Sequence, residues 1–198
     1  MRSKFDLAAA LATLKNESLS RFHLLLHDAV DKGKATAVKQ LIAAGAGPDF
    51  KDKRGDTALH LAAYKGSTAL AELLITKGTT LDTPNSVGNT ALHVAVRKGS
   101  TALAELLIDK GAMLDVPNNY GNTALHAACC NRLDLVKLLV DKGATLDVPN
   151  GDGNTALHVV ARNGHMAGSK GHMEIAELLV DKGATLDVPN GDGNTALH

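Results

Sequence analysis

Imidazole can ligate a metal, shuttle protons or activate a nucleophile, so the nine histidines of this 198-residue chain are its first candidates for chemistry. Six of them, His27, His60, His93, His126, His158 and His198, occupy one position of a recurring pattern. The tetrapeptide Thr-Ala-Leu-His starts at Thr57, Thr90, Thr123, Thr155 and Thr195, at intervals of 33, 33, 32 and 40 residues. Units of that length stack, which sets equivalent side chains roughly 10 Å apart, the spacing of packed helices. Histidines so spaced cannot share an ion whose bonds to nitrogen are about 2.1 Å long. His165 and His172 flank an interruption of the period but lack a nearby Cys or carboxylate pattern. The carboxylates of Asp82, Asp115, Asp147 and Asp187 recur because the repeat does, whereas a catalytic group must be singular and converge with others. No Gly-x-Ser-x-Gly, phosphate-binding Gly loop or His-Glu-x-x-His is present. The residues therefore point to no catalytic, cofactor-binding or metal site. Cys129 and Cys130 are adjacent and cannot staple distant segments; Cys129 falls where other units have Ala63, Val96 and Ala161, so it reads as a packed, reduced thiol.

What positions these residues is a tandem array. Residues 57–89 read TALHLAAYKGSTALAELLITKGTTLDTPNSVGN: a Thr start, a small-residue helix, a break, a Leu-rich helix, a Gly and an Asx-x-x-Gly turn. A unit of this size cannot bury a core alone and must stack on its neighbours. The pattern resembles the ankyrin repeat, a 33-residue unit opening with Thr-Pro-Leu-His-x-Ala. Ala58, Ala91, Ala124, Ala156 and Ala196 stand where that family usually has Pro, at small cost because Ala is a good helix former. The resemblance implies an all-α solenoid of helix-turn-helix units joined by β-hairpin-like loops. Its expected units are 24–56, 57–89, 90–122, 123–154 and 155–194, the first a degenerate copy around Leu24 to Val30, with 195–198 opening a truncated sixth. Residues 1–23 read as a capping helix or a tail, with Leu7, Leu11 and Leu14 at helical spacing over 4–20.

The period breaks between the helices. One residue is missing in unit 123–154, where the preceding unit has the Gly of Lys-Gly-Ser, and seven are added in unit 155–194. The added stretch, around 164–171, holds three glycines and repeats Gly-His-Met, which reads as an inserted loop. Residues 138–158 recur unchanged at 178–198, as in a recent internal duplication or a designed array. With 44% hydrophobic but 3% aromatic residues and no Trp, the interior must be thin and built from Ala, Leu and Val. Formal net charge is +0, with ten Lys/Arg against seven Asp/Glu in residues 1–56; this argues against nucleic acid as a partner. No stretch approaches the roughly 18 apolar residues of a membrane span, and Asp6 sits where a signal peptide needs an apolar core. We expect an intracellular, cytoplasmic monomer, with delivery into a host cell as an effector left open.

Function then belongs to the positions that vary between units. The resemblance to ankyrin repeats implies that hairpin tips and first-helix ends face a concave side, and there the partner-binding candidates are Lys53, Arg54, Tyr64, Lys65, Val87, Arg97, Lys98, Asn119, Tyr120, Asn131 and Arg162. Tyr and Arg are enriched at binding hot spots. The expected role is a non-enzymatic adaptor that binds another protein without cofactor, an acidic or extended segment being favoured where Lys32, Lys65 and Lys98 recur at 33-residue intervals. The alternatives are the targeting region of a longer enzyme or secreted effector, and an array with no selected partner.

Overall fold

The computed structural model describes residues 21–167 and 170–198, which form ten helices and no strand. They are α1 (residues 21–31), α2 (Ala35–Ala43), α3 (Ala58–Lys65), α4 (Thr68–Thr76), α5 (Ala91–Lys98), α6 (Thr101–Asp109), α7 (Ala124–Ala128), α8 (Leu133–Asp141), α9 (Ala156–Ala167) and α10 (Lys170–Asp181). The first helices α3, α5, α7 and α9 pack side by side in one row and the second helices α2, α4, α6, α8 and α10 in another, giving the expected solenoid.

Local chemistry sets the boundaries. Thr57, Thr90 and Thr123 cap α3, α5 and α7 in reciprocal boxes: the hydroxyl accepts from the backbone N–H of the His three residues on, and that His ring accepts from the Thr N–H. The box commonly uses Glu or Gln at the third position; here His fills it. Gly66, with φ 65°, and Gly99, with φ 75°, end α3 and α5 in the left-handed conformation that glycine adopts without strain. Ala62, Ala63, Ala95, Ala104 and Ala128 are fully buried, so neighbouring backbones approach closely, while Leu59, Leu74, Leu92, Leu107, Leu125 and Leu139 fill the space between the rows. One continuous apolar core runs through the array.

Both interruptions of the period are built differently from what the sequence suggests. In the third full unit the residue lost is not the turn glycine. Asn131 carries the left-handed turn with φ 92°, and α7 is cut to five residues against eight in α3. Asn is among the few side chains that tolerate this region, so a turn survives without Gly while the last helical turn shortens. Where the added stretch is described, residues 164–167 and 170–171 are helical and not loop. They lengthen both helices: α9 has 12 residues against eight in α3, and α10 has 12 against nine in α4. Added at the ends that meet, a helical extension leaves the buried register of each helix unchanged. Gly164 permits the contact, since a Cβ there would stand 3.3 Å from Cβ of buried His172.

At the other end, α1 already spans residue 21, so Leu24 lies inside a helix and not at its start. The helix expected over residues 4–20 lies outside the described residues. His27 keeps the frame of the later units, but Leu24 replaces the capping Thr, and the buried Nδ1 of His27 has no partner among the described residues. No described helix is long and apolar enough to cross a membrane.

Candidate functional site

The recurring polar residues are consumed in closing each unit and in joining it to the next. The His Nδ1 accepts from the Thr N–H, at 3.2 Å for His60 and 3.3 Å for His93, which leaves the ring proton on Nε2. That Nε2–H donates to the backbone carbonyl of the residue that ends its own unit: His60 to Asn89 at 2.8 Å, His93 to Asn122, His126 to Asn154 and His158 to Asn194 at 3.0 Å each. Both ring nitrogens of these histidines are thus engaged in holding the fold. Burial pushes His27, His60, His93 and His126 below the usual imidazole pKa, against the opposing pull of their carbonyl partners.

A second ladder joins the hairpins. Asn85 Nδ2 donates to Asp56, Asn118 to Asn89, Asn150 to Asn122 and Asn190 to Asn154, at 2.7 to 2.9 Å. The tips are stitched by backbone bonds from Ser86 to Arg54, Asn119 to Val87, Gly151 to Tyr120 and Gly191 to Asp152. The tips approach so closely that Gly88, at φ +78°, has Asn119 N only 2.5 Å from where a Cβ would be. A third ladder uses the recurring carboxylates: Asp49, Asp115 and Asp147 accept both the N–H and the hydroxyl of Thr80, Thr145 and Thr185. Asp82 faces Met113 and receives only its N–H, at 3.0 Å. Burial holds the Asp82 carboxyl above the usual carboxylate range. On the outer row, Lys142 pairs with Asp109 at 2.7 Å and Lys182 with Asp141 at 2.9 Å.

What the ladders leave over lies on one side. Val87, Arg97, Asn119, Tyr120 and Arg162 line a single open groove of about 710 Å³ between the hairpin tips and the ends of the first helices, with Asp152, Ala127 and Cys130. Tyr120 is 66% exposed and Val87 41%, large apolar groups held in water by the fold. Arg97, Lys98 and Arg162 are exposed and form no ion pair among the described residues. Asn119 is not purely a surface residue, because its Nδ2 donates to Ser86 O of the preceding tip.

The remaining candidates lie outside the groove lining. Tyr64 is half-buried, with the Arg54 guanidinium 5.8 Å and the Lys98 ammonium 5.7 Å from its ring centre, so the two cations brace it. Arg54 also pairs with the buried Asp56 at 3.4 Å. Lys53 is exposed, and Asn131 sits in the turn between α7 and α8. The expected row of free lysines needs correcting: Lys32 pairs with Asp28 at 2.8 Å and Lys65 with Asp31 at 3.1 Å, so of the three only Lys98 is uncompensated. The arginines of the groove carry the available positive charge instead. Sequence reasoning missed the floor of the groove. Ala127 and Cys130 are smaller than their counterparts Val94 and Arg97 before them and Val159 and Arg162 after them, and comparing units position by position would have found that step. Cys129 is fully buried, which pushes its thiol pKa up, whereas Cys130 is exposed and meets the Asn163 amide at 3.7 Å.

A family model for ankyrin repeats matches residues 26–118, 77–150 and 110–170, and a model for the single ankyrin repeat matches residues 152–191. No curated protein matches the chain.

Proposed function

Since this chain belongs to the ankyrin-repeat family, whose repeats generally mediate protein–protein interaction, we propose that it is a non-enzymatic adaptor whose concave groove holds a segment of another protein. One observation carries the reading. The recurring Thr, His, Asn and Asp side chains are spent on contacts within and between units, while the groove gathers non-recurring side chains that make no hydrogen bond or ion pair among the described residues: Val87, Arg97, Tyr120 and Arg162. Exposed Tyr beside unpaired Arg is the composition of a binding hot spot, and a flat array of tips and helix ends suits an extended or helical segment better than a small molecule. Two free thiols, one fully buried, support a reducing intracellular compartment as its place of action.

Affinity capture with the intact chain tests the proposal. A partner retained by the wild type and by Lys137→Ala, on the opposite row of helices, should be lost from the Arg97→Ala, Tyr120→Ala double variant at unchanged melting temperature. Retention by the double variant and loss on Lys137→Ala would place binding on the second helices.

A further inference from the structure

We propose that the groove selects an extended segment with an apolar side chain and, about three residues away on the Arg97 side, a carboxylate; this rests on the concave reading above. Two rows of equivalent positions border the groove. The stitched tips run Arg54, Val87, Tyr120, Asp152, Asp192, from a cation through two apolar groups to two carboxylates. The ends of the first helices run Tyr64, Arg97, Cys130, Arg162. The third full unit sets the small residues Ala127 and Cys130 on the helix side of the groove, against the exposed ring of Tyr120 at the tip of the second full unit. These small residues leave a notch beside the Tyr120 ring, in a groove otherwise lined mostly by Asn, His and charged groups, that would take one apolar side chain.

Electrostatics differ on the two sides of the notch. Toward the second unit stand Arg97 and Lys98, with no carboxylate partner among the described residues. Toward the fourth, Arg162 shares its surroundings with Asp152 and Asp192, two carboxylates to one guanidinium. A carboxylate beside the apolar anchor is therefore favoured only on the Arg97 side, and a neutral or basic residue on the other. The spacing follows from geometry: units stand roughly 10 Å apart and an extended chain rises about 3.3 Å per residue, so one unit corresponds to about three residues. Arg97 presents a planar fork of N–H groups that donates to both oxygens of a carboxylate.

The test uses the intact protein and fluorescein-labelled peptides read by anisotropy at low ionic strength. DSSLSSK should bind at least ten-fold more tightly than DSSSSSK, which lacks the anchor, or NSSLSSK, which lacks the charge. It should also bind more tightly than DSSLSSD, and Asp152→Asn should narrow that difference. Arg97→Gln should erase the preference for DSSLSSK over NSSLSSK, and Cys130→Trp, which fills the notch, should erase the preference over DSSSSSK; the Arg97 variant decides alone if the Trp variant fails to fold. Equal affinity for the peptides overturns the proposal. If a captured partner nevertheless depends on Arg97 and Tyr120, the concave reading stands and only this arrangement of anchor and charge falls; if it does not, both fall.

Discussion

Met113 faces Asp82 where Thr80, Thr145 and Thr185 offer a hydroxyl to the equivalent carboxylates, and Met113→Thr should stabilise the protein. The equivalent Thr80, Thr145 and Thr185 hydroxyls donate to Asp49, Asp115 and Asp147 at 2.7, 2.5 and 2.5 Å, alongside the backbone N–H, whereas Asp82 has the N–H alone. A hydrogen bond to a charged group contributes about 1.5 to 3 kcal/mol, and the exposed setting reduces this to about 1 kcal/mol. Met113 is 58% exposed, so little apolar burial is lost in exchange. For a chain of this size about 1 kcal/mol raises the thermal midpoint by roughly 2 to 4 °C. Circular dichroism melts of the wild type, Met113→Thr, Asp82→Ala and the double variant form the necessary cycle. Because the new bond favours the ionised carboxylate, the raised pKa of Asp82 should also fall, which carbon-detected NMR titration follows. An unchanged midpoint, or an equal gain in the Asp82→Ala background, would show that the hydroxyl does not act through the ladder.

Three further outcomes follow from the same contacts. Burial lowers the folded-state pKa of His27, His60, His93 and His126 below the ordinary imidazole value of about 6.5. The unfolded chain then binds more protons below that value, so their stabilising contribution is complete above pH 6.5 and is lost as pH falls through the folded-state values; urea midpoints should drop between pH 7.5 and 5.5, and a flat profile would contradict the assigned ring protons. Gly88→Ala should cost about 1 to 3 kcal/mol by chemical denaturation, since it combines φ +78° with a Cβ forced against Asn119 N; a loss under about 0.5 kcal/mol would mean the tips can separate freely. Removing residues 166–172 leaves Gly164 and His165 where other units have Gly99 and Ser100, so a regular unit should re-form with its midpoint within about 4 °C of wild type; a larger fall would mean that the extended helices carry packing of their own.

The frame was legible because its chemistry is local. Thr57 and His60 are three residues apart, so the box they form can be read from spacing, and the alternation of Ala-rich and Leu-rich segments fixes the two rows of helices. Interfaces between units were legible only in part. Nothing in spacing says that Lys65 reaches Asp31 across an interface, because that depends on how far one helix end overhangs the next, and the lysine row therefore looked free. The shortened unit was misplaced because a missing residue next to Lys-Gly-Ser suggests a missing glycine, yet Asn131 can hold φ 92° itself. Gly164 and Gly171 read as a loop, but no proline breaks the segment, and residues 164–167 and 170–171 continue α9 and α10, whose backbone groups bond within each helix. The groove depends on two absences of bulk, at Ala127 and Cys130, which matter only once Arg97 and Arg162 are seen on either side.

On the proposed division of labour, recurring residues build the array and non-recurring ones on the concave side bind. Hydrogen exchange of the intact chain, with and without a captured partner, tests it most directly. The account predicts added protection at the tips and helix ends around residues 86–98 and 118–131, with α4, α6 and α8 unchanged. Protection confined to those second helices, with the tips around Val87 and Tyr120 unaffected, would contradict it.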